Sequence, residues 1–151
     1  MRTSGMPRVV SISAEATHPL RSLVLRPGRP LADCVFEGDT SPLAVHFGVE
    51  VDGRIVGVAS LVPEARPGGD GRRGFRLRGM ATSPEVRGHG HGASLVAAVV
   101  AHVTERGGGT LWCNARLTAA PFYERLGLTR FSEPFDMPGI GMHVRMERDV
   151  P

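Results

Sequence analysis

Apolar and polar positions alternate with period two through LAVHFGVEV (43–51), where Leu43, Val45, Phe47, Val49 and Val51 share one face. RIVGVASLV (54–62) follows after Asp52-Gly53, a pair suited to the two left-handed positions of a type I′ turn, so the two segments predict an antiparallel hairpin. GFRLRGMAT (74–82) predicts a third strand whose alternation slips: Phe75 and Leu77 share a face, but Met80 follows three positions later, with Gly79 inside the slip. A change of parity at a glycine predicts a β-bulge, which frees backbone donors and acceptors for a ligand. Leu95, Val96, Val99, Val100 and Val103 then recur at helical spacing, and Gly107 to Gly109 end that helix.

The remaining segments are shorter. RVVSIS (8–13) predicts a strand, and THPLRSLVL (17–25) a short helix with Leu20, Leu23 and Val24 on one face, broken by RPGRP (26–30). Residues 31–42 carry no clear period. PEARPGGDGRR (63–73) reads as a surface loop and as the segment with the strongest disorder signature. TLWCNAR (110–116) predicts a buried strand, and TAAPFYERLG (118–127) a helix capped by Thr118 and closed by Gly127. LTRFSEPFDMPGIGMHVRMERD predicts two paired strands, with Ile140, Met142, Val144 and Met146 on one side. The order β-α-β-β-β-α-β-α-β-β, with no repeat or linker, implies one α/β domain over residues 1–151, built on a mixed sheet flanked by helices.

Composition narrows the function. A chain of 151 residues with 41% hydrophobic and 22% charged residues matches an ordinary globular protein. No apolar run approaches the ~20 residues of a membrane span, and the first residues, MRTSGMPRVVSIS, lack a leader's apolar core. The expectation is a cytoplasmic protein without a membrane partner. Cys34 and Cys113 make no disulfide framework, and Cys113 within TLWCNA reads as a small buried hydrophobe. All 18 basic residues are arginine, which removes Schiff-base chemistry by lysine. The arginines are scattered apart from Arg72, Arg73, Arg76 and Arg78, so the net charge of +3 argues against a nucleic-acid partner and for an anionic small molecule.

Candidate chemistry centres on VRGHGHGASL (86–95), where a glycine loop opens the long helix. The first N–H groups of a helix have no intrahelical acceptor and carry the positive end of its dipole. Glycines let a phosphate reach such amides, and Arg87 adds charge. Gly88, Gly90 and Ala93 satisfy G-x-G-x-x-G/A, but the loop follows a late strand and no acid stands about twenty residues on, against a dinucleotide site. His89 and His91 form an H-x-H pair with no carboxylate or thiol nearby; solvent-facing histidines are expected there, with no metal.

GMATSPEVRGHGHGASL resembles the acetyl-CoA-binding motif of the GNAT superfamily of N-acetyltransferases, with Arg87, Gly90 and Gly92 on its fixed positions. NARLTAAPFYERLGL is similar to the family's following strand and helix, with Leu128 in place of the usual aromatic, and further likenesses to a bacterial subgroup extend over most of the chain. The resemblance implies a GNAT-like sheet, mostly antiparallel, with a bulged, splayed pair of middle strands. It implies acetyl-CoA as co-substrate, its pyrophosphate on the amides of Arg87, Gly88, His89, Gly90, His91, Gly92 and Ala93. Its pantetheine arm would lie on the backbone of Met80, Ala81 and Thr82, with Asn114 at a further contact position. Tyr123, the only tyrosine, matches the general acid that protonates the departing thiolate. A small-molecule or peptide amine is the implied acceptor, and homodimers are common among the proteins it resembles. His46, Glu50, Glu37, Asp136 and His143 are candidate general bases, and Arg76 and Arg78 candidate anchors for an anionic acceptor. The rival reading is a CoA-binding regulatory module of the same fold without catalysis.

Overall fold

In the computed structural model, which describes residues 6–151, Asp52 and Gly53 carry φ of +50° and +78°, the pair a type I′ turn requires. This turn joins β2 (Val45–Val51) to β3 (Arg54–Pro63), with Val51 opposite Arg54 and Val45 opposite Leu61. β1 (Arg8–Ser11) pairs antiparallel with β2. The remaining strands are β4 (Gly74–Thr82), β5 (Gly109–Arg116), β6 (Thr129–Arg130), β7 (Phe135–Met137) and β8 (Gly141–Val150). The sheet runs β1-β2-β3-β4-β5-β8-β6, with β7 also on β8. It is mixed: β4 and β5 are parallel, while β8 is antiparallel to β5, β6 and β7. Helices are α1 (His18–Leu20), α2 (His91–Glu105) and α3 (Ala120–Arg125). The start of the segment read for a leader, residues 1–5, lies outside the described residues.

Residues 6–62 with Gly79–Val99 form one compact unit. Its apolar centre includes Leu20, Val58 and Ala81, packed by Ile12, Val24, Leu25 and Ile55. Gly57 lets the long helix seat closely on β3, since a Cβ there would stand 3.3 Å from Leu95 Cδ1. The predicted amphipathic helix over 17–25 takes a different form. α1 passes into a π-helical turn, Arg21–Leu25, in which the Arg26 N–H donates to the Arg21 carbonyl. The buried face runs through Thr17, Leu20 and Arg21, so Arg21 is fully buried whereas Leu23, on the far side of the wheel, is 57% exposed. Leu43 precedes β2 instead of joining its buried face, and is also exposed.

Residues 63–78 with 100–151 form the other unit. Its β5–β8 ladder runs unbroken from Gly109↔Val150 to Arg116↔His143, so register partners share a face. One face carries Leu111, Cys113, Ala115, Val144 and Met146, all buried. The other carries Trp112, Asn114, Arg116, His143, Arg145 and Glu147 and is mostly polar. Both longer helices end in a Schellman motif. In α2 the Gly108 N–H donates to Val103 and Gly107 to Thr104; in α3 the Leu128 N–H donates to Tyr123 and Gly127 to Glu124.

Three expectations change here. Thr118 does not cap α3: it sits within a 3₁₀ turn, Leu117–Ala119, and Ala119 precedes the helix without a side-chain cap. The closing segment makes three strands, not two; Ile140 lies before β8 and Met142 is 46% exposed, leaving Val144 and Met146 in the core. The 63–73 loop is tied down: Trp112 Nε1–H donates to the Glu64 carbonyl at 2.8 Å, and ion pairs join Arg66 to Glu147 and Arg72 to Asp149, each at 2.7 Å.

Candidate functional site

Gly79 adopts φ of +65° within β4, the left-handed conformation that the glycine of a G1 bulge takes. β4 continues for six residues, Leu77–Thr82, past its last rung to β5 at Arg76↔Trp112. What presses on the bulge was not visible in the sequence. A Cβ on Gly79 would meet Arg21 Nε at 3.0 Å, Arg21 Nη2 at 3.2 Å and Phe36 Cε2 at 3.3 Å. Both terminal nitrogens of Arg21 are held, while its buried Nε meets no hydrogen-bond partner. Nη1 donates to Asp39 Oδ2 at 2.6 Å and to the Cys34 carbonyl at 2.8 Å, and Nη2 donates to Asp39 Oδ1 at 3.1 Å and Ser60 Oγ at 2.8 Å. Its guanidinium lies 4.0 Å from the Phe36 ring centroid.

His46 completes this circuit. Nε2 lies 3.0 Å from the Asp39 carbonyl oxygen, which can only accept, so Nε2 carries the proton. Nδ1, 2.6 Å from Ser60 Oγ, then accepts from the hydroxyl, whose oxygen accepts in turn from Arg21. Burial alone would raise the Asp39 carboxyl; hydrogen bonds from Arg21 and the Phe36 N–H outweigh it and hold the group below its ordinary range. Both ring nitrogens of His46 are occupied, which removes it from the candidate bases. Glu50 is paired with Arg8 at 2.9 Å, and Glu37 and Asp136 are exposed.

The bulged strand leads through a 3₁₀ turn, Pro84–Val86, into the glycine loop. Ser94 donates through both N–H and Oγ to the Gly90 carbonyl, which makes Gly90 the cap of α2. Among the described residues no hydrogen bond claims the N–H of Gly88, His89, Gly90, His91, Gly92 or Ala93. The Arg87 N–H, in contrast, turns back to the Pro84 carbonyl at 3.4 Å, so only this residue's exposed side chain is open to a ligand. Gly88 and Gly90 have φ of +87° and +81°, and a Cβ on either would meet nothing within 4 Å. Their bare side therefore faces open space. Gly92 lies in the first turn of the helix and His91 is buried, not solvent-facing, with its ring edge-on to His89 at 6.0 Å between centroids. Met80 and Thr82 are half-buried and Ala81 is buried.

In the other unit Tyr123 is buried on α3, beside Phe122 at 5.0 Å between ring centroids. Its hydroxyl meets no hydrogen-bond partner among the described residues. Burial, reinforced by Cys113, pushes the phenol above its ordinary range, so it stays protonated. Asn114 projects from the polar face of β5, and its Oδ1 is buried without a hydrogen-bond partner. A buried orphan acceptor is uncommon and asks for an explanation such as a ligand. Arg76 is engaged by Glu64 at 3.5 Å and lies 5.3 Å from the Trp112 ring centroid; Arg78 is half-buried.

The family model described as "Acetyltransferase (GNAT) domain" matches residues 37–150. The chain is 36% identical over 145 residues to the uncharacterised N-acetyltransferase YitI of Bacillus subtilis (strain 168), covering 96% of this chain and 97% of that one. Escherichia coli ElaA superposes with a TM-score of 0.77 at 17% identity, over 95% of this chain and 99% of ElaA. An aminoglycoside 6'-N-acetyltransferase complexed with coenzyme A superposes with a TM-score of 0.76 at 15% identity, over 95% and 97% of the two chains. The left-handed glycine in β4, the capped glycine loop and the α3 tyrosine thus stand in a chain that belongs to the GNAT family of N-acetyltransferases.

Proposed function

We propose that this protein moves an acetyl group from acetyl-CoA to a primary amine by direct attack of the amine on the thioester. The observation that carries the reading is the capped start of α2, where consecutive unclaimed N–H groups meet two glycines with open space on their bare side. Such a cradle suits a pyrophosphate, and exposed Arg87 adds a charge-assisted contact. The orphan Oδ1 of Asn114 fits an amide N–H of the cofactor arm. A CoA complex of a structurally similar aminoglycoside acetyltransferase supports the same ligand class.

Bound acetyl-CoA would supply an activated carbonyl and a thiolate leaving group. The protein's part is to hold and to move protons. The backbone of Met80, Ala81 and Thr82 beside the Gly79 bulge offers donors for the pantetheine arm and for the carbonyl oxygen. Tyr123, kept protonated by burial, gives its proton to the departing sulfur.

Two measurements test this. Thermal unfolding with and without CoA should show stabilisation of the wild type, since a ligand that binds only the native state raises its stability. Gly90→Val should lose that stabilisation; unchanged CoA affinity in the variant removes the cradle assignment. Release of free thiol from acetyl-CoA across an amine panel should fall ~100-fold or more in Tyr123→Phe. Tight CoA binding without turnover on any amine would favour the regulatory module instead.

A further inference from the structure

The polar face of the β5–β8 ladder carries groups that the transferase reading leaves unused. Arg145 projects from β8 opposite Asn114. Its Nε is buried without a hydrogen-bond partner, its guanidinium lies 5.3 Å from the Phe135 ring centroid, and no carboxylate pairs with it among the described residues. A partnerless Nε is shared by Arg66 and Arg76, but these two have a carboxylate counter-charge: Arg66 is paired to Glu147 and Arg76 to Glu64. A half-buried cation with no counter-charge is costly, and a bound anion removes the cost.

His143 stands two residues along β8 on the same face, opposite Arg116 of β5 and Phe135 of β7. It is buried, and its Nδ1 lies 2.8 Å from the Gly141 carbonyl oxygen. A carbonyl only accepts, so Nδ1 carries the proton and Nε2 of the neutral ring presents a lone pair. No described residue uses that lone pair. The face therefore offers an unpaired cation and an unused base two residues apart on one strand, flanked by the aromatic Phe135. The complement of that pair is a molecule bearing both a carboxylate and an ammonium group.

We propose that this face takes the acceptor and that the acceptor is an amino acid or a close analogue: Arg145 pairs with its carboxylate and His143 deprotonates its ammonium group. In that step an N–H bond of the ammonium breaks, its electron pair stays on nitrogen, and an Nε2–H bond forms to give imidazolium. The charged groups on the face of the imidazole are Arg116 on β5 and Arg145 on β8; Asp136 on β7 pairs with Met142 and faces the other side of the sheet. The inference rests on the transferase reading. Asn114, assigned above to the cofactor arm, stands opposite Arg145 on the same face.

The test uses the protein α-amino acids, each paired with the amine left when its carboxylate is removed, such as leucine with isoamylamine and phenylalanine with phenethylamine. The wild type should prefer at least one amino acid over its amine by ~10-fold or more in kcat/KM. Arg145→Gln should abolish that preference through KM, and Arg145→Lys should restore part of it. His143→Gln should lower kcat ~100-fold or more. Calorimetric titration of the preferred amino acid into the CoA-bound protein gives a readout independent of turnover, and Arg145→Gln should weaken that binding ~10-fold or more. CoA stabilisation retained in all three variants excludes misfolding. Equal use of every amino acid and its amine, or binding unchanged in Arg145→Gln, overturns the inference while leaving acetyl transfer intact. Amino acid binding without turnover sinks the transferase reading and the His143 step with it. Absence of amino acid binding overturns the Arg145 assignment.

Discussion

Replacing Gly79 by alanine adds one methyl group at the point where β4 meets a buried guanidinium. Two costs arise, and the structure separates them. The first is conformational: at φ of +65° a non-glycine residue pays roughly 1–2 kcal/mol for the left-handed region. The second is steric. The new Cβ would stand 3.0 Å from Arg21 Nε and 3.3 Å from Phe36 Cε2, and Arg21 cannot step aside without loosening its bonds to Asp39, Ser60 and Cys34. Overpacking a tight site of this kind costs about 1–3 kcal/mol. The sum is about 3 kcal/mol, and for a chain of this length that lowers Tm by roughly 6–12 °C. Gly88→Ala is the matched control, because Gly88 has φ of +87° with nothing within 4 Å of a Cβ and carries only the first cost. Urea unfolding of both variants without ligand measures the difference directly. Should Gly79→Ala prove no more damaging than Gly88→Ala, Arg21 is not a rigid wall behind the bulge.

Other consequences follow from the same network and from the core. Asp39→Ala strands Arg21 as a buried unpaired charge and should cost about 3–5 kcal/mol in urea unfolding at neutral pH. The folded-state pKa of Asp39 lies below its ordinary value of 3.8, so the carboxylate's contribution is present above that value and fades as pH falls through the lower folded value. The gap between wild type and Asp39→Ala should therefore be steady at neutral pH and narrow on acidification below 3.8; a gap that widens there contradicts the assignment. Cys34 and Cys113 are buried, and burial pushes the Cys113 thiol up to about 12, so neither should react with a thiol reagent until the protein is denatured. Trp112→Phe removes the donor to the Glu64 carbonyl and should cost about 1–2 kcal/mol, read by denaturant unfolding.

Local chemistry made part of the molecule readable in its sequence. The Asp52-Gly53 turn depends on two residues that tolerate positive φ, and α2 on a repeat that needs only its own helix. Both stand in the fold with boundaries close to those the pattern gives. Gly79 announced itself by the break in alternation around it, and the glycine loop by what bare amides attract. Arg21 was illegible for a physical reason: pattern reading places arginine outside, and its burial depends on Asp39, Cys34 and Ser60, which only the folded chain brings around it. Asp39 lay in a segment with no period, and its significance depends on Ser60 and His46, which only the folded chain brings to it. His143 could be named as a titratable residue, but its tautomer is set by the Gly141 carbonyl, which sequence does not position.

The alternation along β5 and β8 has a consequence for how such a protein can change. Positions 111, 113, 115, 144 and 146 face the packed side, while 114, 116, 143 and 145 face the polar one. Substitutions in the second set alter the polar face and leave the packing of the first alone. Insertions and deletions have no such freedom, because moving either strand by one residue would exchange the two sets at every position beyond it. Descendants of this chain can thus remake the polar face by point substitution while the length of these two strands stays fixed.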